Sequence, residues 1–297
     1  IYAIDGKWLY IPRTKELEKQ GFTGRKTSQW RETLKLRMHL THAYDVLSGV
    51  SKGLRISRHQ DEIAQATSMV ESFESGCIAL YDRFYLCHEL IRTHLRRRNF
   101  FIMRAKSRAT LKQIVQFAEG RKSKTSFKYQ GVELTIVKVK FGKKTNYFLT
   151  NLFPSEVTPK RIAHLYRERW DVESSFKELV ESISLEQWHT TSYNGILQEL
   201  YARFWIYNFT KIQIYLRQKK RKRTIGKSYY RASLKCCHEW IVRNINDVFK
   251  RSRRVFRALE ELIKHTTQKR ERYKYSYPRE IKRPASPYKY ANTKWSF

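Results

Sequence analysis

Cys77-Ile78-Ala79-Leu80-Tyr81 is a short run without a charge, closed by Asp82. A strand this apolar reads as covered on both faces, so helices must flank the sheet that holds it. Asn99 to Met103 is a second such run. Between them Leu86 to Arg98 reads as a helix loaded with Arg92, Arg96, Arg97 and Arg98. Before them Ile63, Ala66, Met69, Val70 and Phe73 recur as one helical face, and Gly76 ends it. These patterns predict an α/β fold.

The N-terminal part adds strands. Ile1 to Ile4 and Trp8 to Ile11 flank Asp5-Gly6, an ordinary turn dipeptide, which predicts a hairpin with Asp5 at its tip. Residues 13–33 are polar and basic and read as a loop. Leu34, Leu36, Met38 and Leu40 alternate with polar residues, the period of a strand with one buried face. Leu54 to Ile56 returns after a turn at Ser48-Gly49. The order to residue 105 is three strands, helix, strand, helix, strand.

After a short helix at Leu111 to Phe117, the segment 106–153 turns β-rich: Ser126 to Tyr129, Val132 to Phe141 and Asn146 to Leu152. It reads as an inserted basic meander, suited either to a phosphate backbone or to a solvated sheet edge. Thr158-Pro159 then starts a helix. Leu165, Val172, Phe176, Leu179 and Ile183 form its apolar stripe, and Tyr166, Arg169, Glu173 and Lys177 share a sector beside it. As i,i+4 pairs, Arg169–Glu173 and Glu173–Lys177 also make a plain salt ladder. Leu197 to Leu216 is a further helix, Arg217 to Arg223 a basic linker, and His238 to Lys264 helical again. The Tyr- and Pro-bearing tail suits unpaired DNA or a loose segment lying on its own domain. The expected units are 1–105 and 154–217 as two parts of one core, 106–153 as an insertion, and 218–297 as a basic helical C-terminal region with a tail.

Against 27 acidic residues the chain carries 61 Lys and Arg, a net charge of +34. A surplus of this size calls for a polyanion, most simply nucleic acid. No long apolar run or basic amphipathic anchor points to a membrane. Cys77, Cys87, Cys236 and Cys237 lack CxxC spacing and indicate neither a zinc site nor a disulfide framework, which suits a reducing compartment. The chain opens on Ile1, directly in a strand, and an upstream segment is expected.

Asp5, Asp82 and Glu173 have comparable settings, two at strand ends and one on a helix. Asp82 reads either as a site residue or as the cap of the next helix. Three converging carboxylates are oxygen ligands for Mg²⁺ or Mn²⁺, and a pair of such ions suits phosphodiester chemistry. The stretch Tyr166-x2-Arg169-x3-Glu173, with its flanking Arg-Trp-Asp-Val-Glu-Ser-Ser-Phe-Lys, resembles the DDE transposases of bacterial insertion sequences, in the branch with a Tyr-x2-Arg-x3-Glu-x6-Lys signature. Asp5-Gly6 and Asp82-Arg83-Phe84-Tyr85 resemble that family's two Asp motifs, and the resemblance runs from Ile1 to about Leu216. It implies an RNase H-like mixed sheet flanked by helices, with a β-rich insertion before the glutamate helix. It also implies two Mg²⁺ or Mn²⁺ ions on Asp5, Asp82 and Glu173, and phosphate contacts by Tyr166, Arg169 and Lys177. A homodimer bridging two transposon ends, cleavage followed by strand transfer, and a cytoplasmic, nucleoid-associated location complete the expectation. Val180 departs from the signature, which has Lys there. The insertion has no Trp of the kind relatives use to hold a flipped base. The competing readings are a weakened DNA-binding relic and a hydrolytic nuclease of the same fold.

Overall fold

The computed structural model describes residues 1–26, 32–107, 111–141, 144–218 and 228–271. Its N-terminal half holds β1 (Tyr2–Ile11), α1 (Lys15–Lys19), β2 (Thr23–Lys26), β3 (Glu32–Asp45), β4 (Ser51–Ser57), α2 (Glu62–Glu71), β5 (Ile78–Tyr81), α3 (His88–Arg96), β6 (Phe100–Ala105) and α4 (Lys112–Glu119). There follow β7 (Lys124–Tyr129), β8 (Val132–Phe141), β9 (Lys144–Thr150), α5 (Pro159–Arg167), α6 (Trp170–Glu181) and α7 (Tyr193–Gln218). The last elements are β10 (Ser228–Arg231), α8 (Leu234–Arg243), α9 (Ile245–Phe249), α10 (Arg253–Thr266) and β11 (Gln268–Glu271).

One mixed sheet runs β2-β3-β1-β5-β6-β9-β8-β7. Long β3 pairs antiparallel with β1 along one edge, while β2 and β4 share its other edge. β1, β5 and β6 are parallel, and β9, β8 and β7 continue antiparallel from β6. The meander lies in the segment expected to be β-rich, and it prolongs the central sheet through β9.

Strand alternation divides the interior in two. Ala3, Leu9, Ile11, Leu80 and Ile102 face one cluster with Ile162, Val172, Phe176 and Leu179 of α5 and α6 and Leu200 and Phe204 of α7. Tyr2, Ile4, Ala79, Tyr81, Phe101 and Met103 face the other, with α2, α3 and α4. Both faces are covered, as the uncharged runs required. A smaller cluster joins Cys237, Ile241, Leu259 and Ile263 of the C-terminal helices to Ile206, Phe209 and Ile214 of α7. Among the described residues no helix is long and apolar enough to cross a membrane. The four cysteines are free thiols.

Four sequence expectations change. The hairpin at Asp5-Gly6 is one strand: β1 pairs with β3 without interruption from Tyr2↔Asp45 to Ile11↔Leu36. A long partner overrides the turn dipeptide, and Gly6 is not among the glycines at positive φ that such a turn needs. The loop 13–33 contains α1 and β2 because Thr14 caps the first and Leu17 and Phe22 are buried. The glutamate helix is two helices, with i→i−3 bonds from Arg169 N–H to Tyr166 O and from Val172 N–H to Arg169 O at the junction. The last helical stretch is three helices, divided at Asn244 and at Arg251, which has φ 53. Most of the basic linker and most of the tail lie outside the described residues.

Thr158 caps α5 as expected, its Oγ1 accepting from Arg161 N–H at 3.2 Å. Leu179 is fully buried and fixes α6 to the sheet. Leu179→Ala is expected to lower stability by about 2–5 kcal/mol in denaturant unfolding, whereas exposed Arg167→Ala stays within about 0.5 kcal/mol.

Candidate active site

Backbone register brings the two aspartates together. Tyr2 pairs with Ala79 and Ala3 with Leu80. Continuing that parallel register two places sets Asp5 beside Asp82, which follows the last residue of β5. Residues alternate across a strand, so Asp5 shares a face with Ala3 and Asp82 shares one with Leu80. Both belong to the face covered by α5 and α6, and Glu173 lies on α6 between Val172 and the buried Phe176.

Arg169 joins the strand to the helix. It is 7% exposed. Its Nη2 donates to Glu173 Oε1 at 2.6 Å, and its Nη1 lies 3.6 Å from Asp5 Oδ2. The guanidinium also sits 5.7 Å from the Tyr166 ring centre and 5.8 Å from that of half-exposed Trp170. The tight turn between α5 and α6 is what brings this side chain inward. Its burial is tolerable because two carboxylates balance its charge.

Burial pushes the Asp5 carboxyl up to about 6; Arg169 and the Gly6 N–H pull it down, while Asp82 and Glu173 push it further up. Asp5 thus feels the charge of both other acids. Beside them on the same face, His42 is opposite Asp5 in the β1–β3 register. Burial lowers its imidazole to about 3, so it is neutral near pH 7.

Asp82 is not the cap of α3. Its Oδ1 accepts from Phe84 N–H at 2.7 Å, closing a local turn, and Cys87 caps that helix. Tyr166 is buried, with its ring 4.6 Å from Phe148; its hydroxyl ionisation is raised by burial, against the pull of Arg169 and Arg104. Lys177 is exposed on the outer side of α6, 3.8 Å from Glu181 Oε2. The structure therefore brings Asp5, Glu173, Arg169 and Tyr166 into one cluster, with Asp82 level with Asp5, and leaves Lys177 outside it. Lys177 lies one turn beyond Glu173 on the same helix, and its side chain extends outward to Glu181.

Among the described residues no three His, Cys, Asp or Glu side chains stand close enough to hold a metal ion as they are placed. Donor chemistry nevertheless fits a hard cation, because the convergent groups are carboxylates and a positive charge, Arg169, already lies between two of them. Sequence reasoning missed two neighbours, Glu62 and the hydroxyl of Tyr85. A lone acid in a first helical turn carries no signal beyond an ordinary dipole contact.

The raised Asp5 carboxyl destabilises the fold where it is ionised. Folding costs least below the unfolded value near 3.8, and the penalty grows as pH rises to about 6. Asp5→Asn is expected to be more stable than wild type above that window, by on the order of 3 kcal/mol with the Arg169 attraction already included, and to converge with it near pH 4. Metal-free thermal melts across pH test this; a difference independent of pH contradicts it.

A family model described as a transposase DDE domain matches residues 1–209. In structure the chain is similar to the piggyBac transposase in its synaptic complex with hairpin DNA, with a TM-score of 0.53 and 13% identity. That similarity covers 88% of this chain and 57% of the other, so the chain spans little more than half of that protein, and at such identity the likeness concerns the fold. No curated protein matches the sequence. With the family model covering well over half of its length, this chain belongs to the transposase DDE domain family.

Proposed function

We propose that the chain cleaves DNA at transposon ends and transfers the freed 3′-hydroxyl end into target DNA, with Asp5, Asp82 and Glu173 as the catalytic acids. The observation that carries this reading is their convergence: two aspartates at neighbouring parallel strands, on the face where Arg169 ties Asp5 to Glu173. The order β4-β3-β1-β5-β6 supports an RNase H-like core. The net charge of +34 supports a DNA partner, as does the DNA in the piggyBac complex. A homodimer on two ends belongs to the same proposal.

Asp5, Asp82 and Glu173 would hold Mg²⁺ or Mn²⁺, two ions in this reading, which when bound activate an attacking hydroxyl and stabilise the leaving oxygen. Arg169 now neutralises Asp5 and Glu173. Its planar fork matches a phosphate equally well, so an entering DNA strand competes for it. Tyr166 fixes that guanidinium from below. Lys177 and the other exposed cations bind the backbone farther from the reacting phosphate. Val180, half-buried where the resembled signature has Lys, is the observation that favours a weakened relic.

The test is Mg²⁺-dependent nicking of labelled ends beside metal-free DNA binding. Asp5→Asn, Asp82→Asn and Glu173→Gln keep shape and remove charge. Each is expected to lose cleavage by orders of magnitude, as removal of ion-activated attack requires, while metal-free binding is kept. Near-wild-type nicking by a folded variant strikes that residue from the site. No nicking by the wild type favours the relic, and cleavage without joining favours the nuclease.

A further inference from the structure

The face of the sheet opposite Glu173 holds a second polar group directly behind the two aspartates. Gly6 lies next to Asp5 and, by alternation, turns its Cα toward α2. A Cβ at Gly6 would stand 2.6 Å from Glu62 Cδ and 2.7 Å from Glu62 Oε1. The missing side chain is thus the space into which the Glu62 carboxylate fits. Glu62 is itself buried at the start of α2. Its Oε1 lies 3.1 Å from His39 Nε2 and accepts from Gln60 Nε2 at 2.9 Å. His39 is anchored in turn on β3, its ring 5.0 Å from that of Trp8. The same peptide that rests on Glu62 donates its N–H to Asp5 Oδ1 at 3.0 Å.

Tyr85 comes to this point from the other side, three residues after Asp82. It is fully buried, with its ring 5.3 Å from that of Tyr81. Its hydroxyl faces the Glu62 carboxylate, just beyond a hydrogen bond of normal length. Leaving a buried hydroxyl unpaired is costly, so a position for one is kept only where a partner can reach it. Burial first, then the charges of Glu62, Asp5 and Asp82, raise its ionisation well above the ordinary phenol range. The acceptor that the hydroxyl faces is the Glu62 carboxylate.

We propose that Glu62 and Tyr85 are positioning residues for the candidate metal ligands. Glu62 props the Asp5–Gly6 peptide from behind the sheet, and the Tyr85 hydroxyl holds the Glu62 carboxylate in that place. The role presupposes that Asp5 and Asp82 bind a divalent cation. Neither residue reaches the α6 face, so neither touches DNA or the reacting phosphate. Burying an acid and a phenol costs desolvation even when they are paired; behind the Asp5–Gly6 peptide the pair orients it, as partners of metal ligands generally do.

The experiment measures Mn²⁺ binding alone, by the loss of the free-ion paramagnetic resonance signal, with no DNA and no turnover. Variants are Tyr85→Phe, Glu62→Ala and the shape-preserving Glu62→Gln, with Asp5→Asn as control. Tyr85→Phe and Glu62→Ala are each expected to weaken Mn²⁺ binding about 10- to 100-fold. Glu62→Gln should retain most of the affinity, because the prop is steric. Metal-free DNA binding should be unchanged in all three. If Glu62→Ala does not fold, Tyr85→Phe decides, since it removes one oxygen. Wild-type Mn²⁺ affinity in Tyr85→Phe, with Asp5→Asn weakened, overturns the positioning role and leaves the metal reading standing. Absence of Mn²⁺ binding in the wild type overturns both.

Discussion

The contact of Arg169 with Asp5 and Glu173 is the interaction on which the site depends. Two aspartates on one face of a sheet and a glutamate on the helix above them repel one another, and burial disfavours their charge. The effect is visible in Asp5, whose carboxyl rises to about 6. A single buried guanidinium reaches two of the acids at once and balances them. The same contact ties β1 to α6, elements far apart in sequence. Arg169 is thus a structural counter-charge, and in the proposed reaction it is also the group a phosphate recruits.

The topology makes that contact possible. Parallel pairing of β1 with β5 levels Asp5 and Asp82, while alternation turns both toward α5 and α6. The antiparallel β3 supports β1 along its whole length, so Asp5 sits in the middle of a long strand instead of on a mobile turn. Rigid elements hold reactive side chains more accurately than loops do. Gly6 has a related task, since the absence of its side chain lets Glu62 approach the sheet from behind.

Much of this was legible from residue order. Uncharged runs at Cys77 to Tyr81 and Asn99 to Met103 announce strands covered on both sides, and helical periodicity marks α2, α3 and α7. The spacing of Tyr166, Arg169 and Glu173 picks out the site's helical arm. The error at Asp5-Gly6 arose because a local turn preference is worth little against ten residues of strand pairing with β3. Lys177 shares a helical sector with Glu173, but it lies a turn farther along α6, where its exposed side chain extends to Glu181, and a shared sector does not encode reach. Glu62 and Tyr85 were beyond reach for another reason: their significance comes from packing behind β1, which no periodicity encodes.

The central claim is that Asp5, Asp82 and Glu173 form one cation site now balanced by Arg169. Anomalous diffraction from crystals soaked in Mn²⁺ tests it most directly. Peaks are expected between these three carboxylates, with the Arg169 guanidinium displaced from Asp5. Peaks confined to other parts of the molecule, with the Arg169 contacts to Asp5 and Glu173 intact, would contradict it.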